Sequence, residues 1–105
     1  MEKLQQELLQ RAKFILLSVD PNGKIILFGS HARGDARIDS DWDLLILLDK
    51  QHIESSDFDR IAYPIYETGW IAGEQFSPKM YTFQEWKLRS FTPFYKNVEK
   101  DGIEL

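Results

Sequence analysis

Cysteine is absent from the 105-residue chain. Its absence excludes a disulfide framework, thiolate metal sites and cysteine nucleophiles. Histidine is scarce, with two residues, so any metal site would have to rely on oxygen ligands. No apolar run approaches membrane-spanning length, and Met1–Gln10 is charged and amphipathic rather than a signal core. The expectation is a cytoplasmic protein with no membrane partner. An excess of positive charge is missing too: 13 Lys and Arg stand against 17 Asp and Glu, a net charge of −4. That argues against direct nucleic-acid binding. Repeats and low-complexity segments are also lacking. What remains, 43% hydrophobic and 29% charged, is the composition of a globular chain, and the length predicts one domain over 1–105.

The negative charge is concentrated. Residues 35 to 59 hold eight acids and two bases, whereas the rest of the chain is slightly basic. Close-set carboxylates repel unless water, a base or a cation separates them.

Hydrophobic periodicity predicts a helix over 2–18, with Leu4, Leu8, Ala12, Ile15, Leu16 and Val19 on one face. Asp20-Pro21-Asn22-Gly23 ends it as a turn. Lys24–Phe28 reads as a buried strand stopped by Gly29. Ser30–Asp41 reads as a loop, with room for one helical turn after Gly29. Trp42–Leu48 is apolar on both faces apart from Asp43, which predicts a strand covered on both sides. A helix over 57–68 contains Pro64, where a kink or late start is expected. Residues 70–82 read as a third strand, placed at an edge by Pro78. Thr82 and Glu85 form a capping box for a helix over 83–90, and the tail from Phe94 carries no assignment. The order predicts an α/β or α+β domain with a small mixed sheet of three to four strands flanked by helices.

Two local features carry chemistry. Gly29-Ser30 directly follows a buried strand, where glycine allows close backbone approach and the next amides and hydroxyl suit a phosphate. Strand-Gly-Ser is also a common turn. Asp41 and Asp43 are two residues apart at the entry to a strand, on one face and roughly 6.5–7 Å apart along the chain. Such a pair suits a divalent cation, Mg²⁺ or Mn²⁺ with oxygen ligands, or else forms a solvated acidic strand end. Asp43 stands among Trp42, Leu44, Leu45 and Ile46, where an unpaired carboxylate is costly, which favours a bound cation.

Together these halves give a hydrophobic strand, Gly29-Ser30-His31-Ala32-Arg33-Gly34, a short loop, and Ser40-Asp41-Trp42-Asp43-Leu44-Leu45-Ile46. The pattern, spanning residues 26 to 48, resembles the nucleotidyltransferase domain of the DNA polymerase β superfamily, especially its stand-alone minimal prokaryotic members. The resemblance implies a polymerase β-like fold and transfer of a nucleoside monophosphate, AMP from ATP, with pyrophosphate leaving. It also implies roles. Gly29 and Ser30 would hold the β- and γ-phosphates, Asp41 and Asp43 would bind Mg²⁺, and Arg33 would help neutralise the triphosphate or brace the loop. Asp41, Asp43 and Ser30 are thus the catalytic candidates. Active members usually carry a third carboxylate on the next core strand. Residues 70–82 contain no Asp; Glu74 is the only acid there and the candidate third metal ligand, with Ser77 as the alternative occupant of that place and Lys79 nearby.

Larger relatives hold their acceptor with an extra domain, so the resemblance implies an acceptor supplied by a partner. In such systems that partner is a HEPN-type helical protein in a toxin–antitoxin pair, or a homodimer mate. The alternative is a catalytically weak antitoxin or binding module that neutralises the HEPN-type partner. A small-molecule transferase of the aminoglycoside type is disfavoured. His31 and His52 read as loop and surface histidines, and Asp35 and Asp39 as the rim of the acidic loop. Eleven of the fourteen aromatic residues lie beyond residue 57. Most suit core packing, but Trp86, Phe91 and Phe94 are the candidates for a docking face.

Overall fold

The computed structural model describes residues 2–105. Helix α1 (Lys3–Val19) forms where the periodicity places it and buries Leu8, Leu9, Ala12 and Leu16. It starts at a reciprocal box in which the Glu2 amide donates to Gln5 Oε1 at 3.2 Å. It ends at Asp20, whose carboxylate accepts from the Asn22 amide at 3.1 Å and the Asp49 amide at 2.7 Å. One acidic side chain therefore fixes both the turn after α1 and the far end of the second strand.

Strand β1 (Lys24–Phe28), the single helical turn α2 (Ser30–Arg33) and strand β2 (Trp42–Leu48) follow as expected. β3 (Phe76–Thr82) and β4 (Ile103–Glu104) complete a four-stranded sheet of order β3-β2-β1-β4. β1 runs antiparallel to both β2 and β4, and β2 runs parallel to β3. The registers place Phe28, Asp43 and Ser77 side by side across the three long strands. Pro78 sits on β3, an edge strand, where its missing donor is tolerated.

Strand alternation sorts the side chains into two cores. On one face Ile25, Leu27, Trp42, Leu44, Ile46, Leu48 and Phe76 pack against α1 and the helix before β3. On the other, Leu45 and Leu47 meet Trp86 and Val98, with Ile26, Phe28, Phe83, Phe94 and Tyr95 around them. Leu44, Leu45 and Ile46 are 0% exposed. Each such burial contributes about 1.5–3 kcal/mol, so β2 delivers Asp43 to a fixed place. Among the described residues no helix is long and apolar enough to cross a membrane.

Three expectations are corrected. The helix over 57–68 is longer and divided: α3 (Ser55–Asp57), a π-helical turn (Phe58–Ala62) and α4 (Tyr63–Ile71). Pro64 lies in the first turn of α4, where its missing N–H does least harm, and the widened turn ahead of it lets the Tyr63 amide reach Phe58 O. The third strand begins at Phe76 rather than 70. Gly69 O accepts from the Ala72 and Glu74 amides at 3.0 and 2.9 Å, and Gly73 turns at φ +79°, so the chain reverses before it can extend. The tail, which carries no assignment from the sequence, is ordered into α6 (Pro93–Asp101) and β4, after the expected helix α5 (Phe83–Leu88). α5 has the expected Thr82–Glu85 box, and Thr92 caps α6 ahead of Pro93.

One buried charge holds the α3 start. Asp57 is 4% exposed, takes the Lys50 Nζ at 2.9 Å and the Glu54 amide at 2.8 Å. Burial pushes its carboxyl up, but the Glu54 amide and Lys50 outweigh that and bring it below the usual carboxylate range. A carboxyl lowered on folding stabilises above its unfolded value and loses that contribution as pH falls through its folded value. Asp57→Ala is therefore expected to cost about 1–3 kcal/mol at pH 7. In urea melts the gap to wild type should narrow towards pH 3; a gap independent of pH would contradict the charge-based role.

Candidate functional site

The site forms where β1 ends and β2 begins. Gly29 adopts φ +75° and ψ −156°, a region open in practice only to glycine, and turns the chain from β1 into α2. A Cβ placed there would run into Asp43 Oδ2, so the Asp43 carboxylate lies directly against the glycine. The Arg33 amide returns to Gly29 O at 3.1 Å, closing a single helical turn that starts at Ser30. The first amides of such a turn have no acceptor within it. Glycine is thus required twice, by its backbone angles and by the carboxylate beside it.

Asp43 is half-buried, in line with Phe28 on one side and Ser77 on the other. Asp41 is exposed, one residue before β2. Burial pushes the Asp43 carboxyl above the usual carboxylate range and Asp41 pushes it further. Lys79, His31 and Arg33 pull it partly back. Among the described residues no cationic group makes an ion pair with Asp43. Two carboxylates, one half-buried and without a counter-ion in contact, form a hard oxygen donor set of the kind that suits Mg²⁺ or Mn²⁺. They fit a cation that a nucleotide's phosphates also hold. They do not make a protein-only cage, since the described residues contain no cluster of three or more metal-ligating side chains.

Arg33 lies at the end of the α2 turn with Nε 3.3 Å from Asp35 Oδ2, both side chains well exposed. Such a pair is worth little, about 0–1 kcal/mol, so Arg33 can exchange partners at low cost. Asp35 thereby takes its place on the rim, and Asp39 is exposed. His31 does more than occupy a loop: its ring stacks on Trp42 at 3.5 Å and 10°, with Nε2 3.1 Å from Ser40 O. That contact braces the stretch between α2 and β2.

Glu74 is not brought to the two aspartates. Its carboxylate accepts from the Trp42 indole N–H at 2.9 Å and from Gln5 at 3.4 Å. Trp42 and Asp43 are adjacent on a strand and point to opposite faces, so Glu74 serves the α1 side of the sheet. The β3 position in register with Asp43 belongs to Ser77, and Lys79 is the next residue on that face. Glu74→Ala is therefore expected to lower stability by about 1 kcal/mol while leaving Mn²⁺–nucleotide affinity unchanged in a calorimetric titration. A tenfold loss of that affinity would restore Glu74 as a ligand.

A small cleft of about 210 Å³ opens beside the turn, lined by Phe28, Gly29, Arg33, Phe94, Asn97, Val98 and Asp101. Sequence reasoning missed its α6 wall, although Thr92-Pro93 as a helix start and the spacing of Phe94 and Val98 were signals for it. Phe94 packs on Phe28 and Trp86 with ring centroids 5.3 Å apart in both cases. Trp86 is 5% exposed, so Trp86 and Phe94 belong to the second core rather than to a docking face, and of the three candidates Phe91 alone is exposed.

Neither curated proteins nor solved structures give a match. A protein-family profile described as a nucleotidyltransferase domain matches residues 2–102. The match takes in α1 to α6 and the whole Gly29–Asp43 segment, and the mixed four-stranded sheet agrees with it. From its first helix to its last, the chain belongs to the nucleotidyltransferase domain family.

Proposed function

We propose that the chain transfers a nucleoside monophosphate, AMP from ATP, to a partner protein, with Mg²⁺ as the metal. The observation that carries this reading is the Asp43 carboxylate seated against the Gly29 turn. It sets a cation-binding group and a phosphate-binding backbone beside each other. Gly29 and Ser30 hold the β- and γ-phosphates, and Arg33 offsets their charge. Asp41 and Asp43 would hold Mg²⁺, which would neutralise charge on the phosphates. An acceptor hydroxyl forms a bond to the α-phosphorus and loses its proton to solvent, while the α-phosphorus–oxygen bond to the β-phosphate breaks and pyrophosphate leaves. Positioning and electrostatics supply the acceleration.

A protein acceptor is supported by the apolar groups that the fold leaves outside: Phe58, Tyr63, Trp70 and Ile71 in the helical segment before β3 and Phe91 beyond α5 are each at least 46% exposed. A HEPN-type helical protein is the partner this reading favours, with a second copy of the chain as the other candidate. ATP carrying label at the α-phosphate should mark the partner protein, and ATP labelled at the γ-phosphate should not. Transfer of the γ label, or of neither, contradicts the proposal. One observation favours a second reading: Glu74 is committed to Trp42, which leaves Ser77 on the third strand and weakens the metal site. On that reading the chain is an antitoxin-like module that binds nucleotide and neutralises its partner without turnover. Stable nucleotide binding with unmarked but inhibited partner would select it.

A further inference from the structure

We propose that Lys79 is a phosphate-binding residue of this site, holding the triphosphate on the third-strand side in place of a second divalent cation; the proposal rests on the nucleotidyl-transfer reading. The register carries it. Asp43 pairs with Ser77 and Leu45 with Lys79 across parallel strands, so Asp43, Ser77 and Lys79 share one face. Lys79 is exposed and makes no ion pair among the described residues. Its ammonium stands 5.8 Å from the centre of the Phe94 ring, which lines the cleft together with Gly29 and Arg33. The positive group thus shares the face of Asp43 and stands near a ring that lines the cleft, close enough to pull on the Asp43 carboxyl without pairing with it.

Three consequences follow from ordinary electrostatics. A lysine ammonium is a compact point charge on a flexible stem, suited to phosphate oxygens at several positions. Its field repels a second dication from the Ser77 side, where no carboxylate offsets it. With Arg33 lining the same cleft as the Phe94 ring, it leaves the triphosphate held by two cationic side chains even without metal.

Calorimetric titration with inorganic tripolyphosphate and with ATP, each in Mg²⁺ and in EDTA, tests this on wild type, Lys79→Gln and Lys79→Arg. Tripolyphosphate makes the result independent of the base. Wild type should still bind tripolyphosphate in EDTA; Lys79→Gln should weaken that binding by about tenfold or more, and Lys79→Arg should restore most of it. Manganese resonance should count one Mn²⁺ per bound ATP. Equal binding by wild type and Lys79→Gln in EDTA, strict dependence of wild type on a divalent cation, or two Mn²⁺ per ATP overturns the role of Lys79 while leaving nucleotidyl transfer standing. No binding of either ligand in either condition overturns both. Lys79 is at the surface, so unchanged melting of the variants separates a lost contact from a lost fold.

Discussion

Gly29→Ala is expected to lower stability by about 2–4 kcal/mol and to abolish binding of a nucleoside triphosphate. Two effects add at this position. The backbone at φ +75° and ψ −156° is strained for any residue with a Cβ, and the new methyl meets the Asp43 carboxylate. Either the turn moves or the aspartate does, and both belong to the site. For a chain of this size the melting temperature should fall by roughly 8–20 °C. Gly34 is the natural control. It also lies at positive φ, +82°, but nothing stands within 4 Å of a Cβ there, so Gly34→Ala should show the backbone cost alone and retain nucleotide binding. Equal behaviour of the two variants would mean that Asp43 is not in fact packed on Gly29.

Asp43→Asn is expected to do the opposite to the free protein. A half-buried carboxylate without a contacting counter-ion opposes folding when it ionises, and Asp41 beside it adds repulsion. Its carboxyl is raised on folding, so the native state holds its proton more tightly than the unfolded chain does. The sign follows: this group does not oppose folding below the ordinary value of 3.8, and stability is lost as pH rises through the higher folded value. At pH 7 the Asn variant should melt at the same temperature as wild type or above it. Added Mg²⁺–ATP at a hundred times its dissociation constant should stabilise wild type by about 2.7 kcal/mol and the variant by distinctly less. Transfer activity should fall by at least a hundredfold, since the variant loses a charge at the reacting phosphates. A marked loss of free-state stability would instead make Asp43 a structural ion-pair partner.

Part of the candidate site's geometry is legible in the sequence and part is not. Gly29, Asp41 and Asp43 are brought together by local geometry, a strand stop and a two-residue repeat, and local geometry is written in consecutive residues. β2 was equally plain, because Trp42–Leu48 admits only a strand buried on both faces. Glu74 was not legible. Whether it reaches the aspartates depends on where β3 begins, and that is set by the Gly69–Gly73 reversal and by an indole on the neighbouring strand. Register between parallel strands is a tertiary property, so the pairing of Asp43 with Ser77 could be named only as one alternative. The same holds for α6. Its nine residues have a mostly polar surface and one buried side chain, Val98, so the periodic signal was thin, yet it forms a wall of the cleft beside Gly29. The packing of Trp86 and Phe94 in the second core is illegible for a related reason. A second core under α5 and α6 exists only because the tail folds back on the sheet.

The central claim is that the Gly29–Asp43 corner holds the cation and phosphates of a nucleoside triphosphate. Paramagnetic broadening by Mn²⁺ in the presence of a non-hydrolysable ATP analogue, followed amide by amide in solution, tests it most directly. The account predicts that the amides of Gly29, Ser30 and Asp43 are lost first, followed by Ser77, with Glu74 and the rim aspartates Asp35 and Asp39 much less affected. Broadening centred on Glu74 or on the rim, with the Gly29 turn intact, would contradict it.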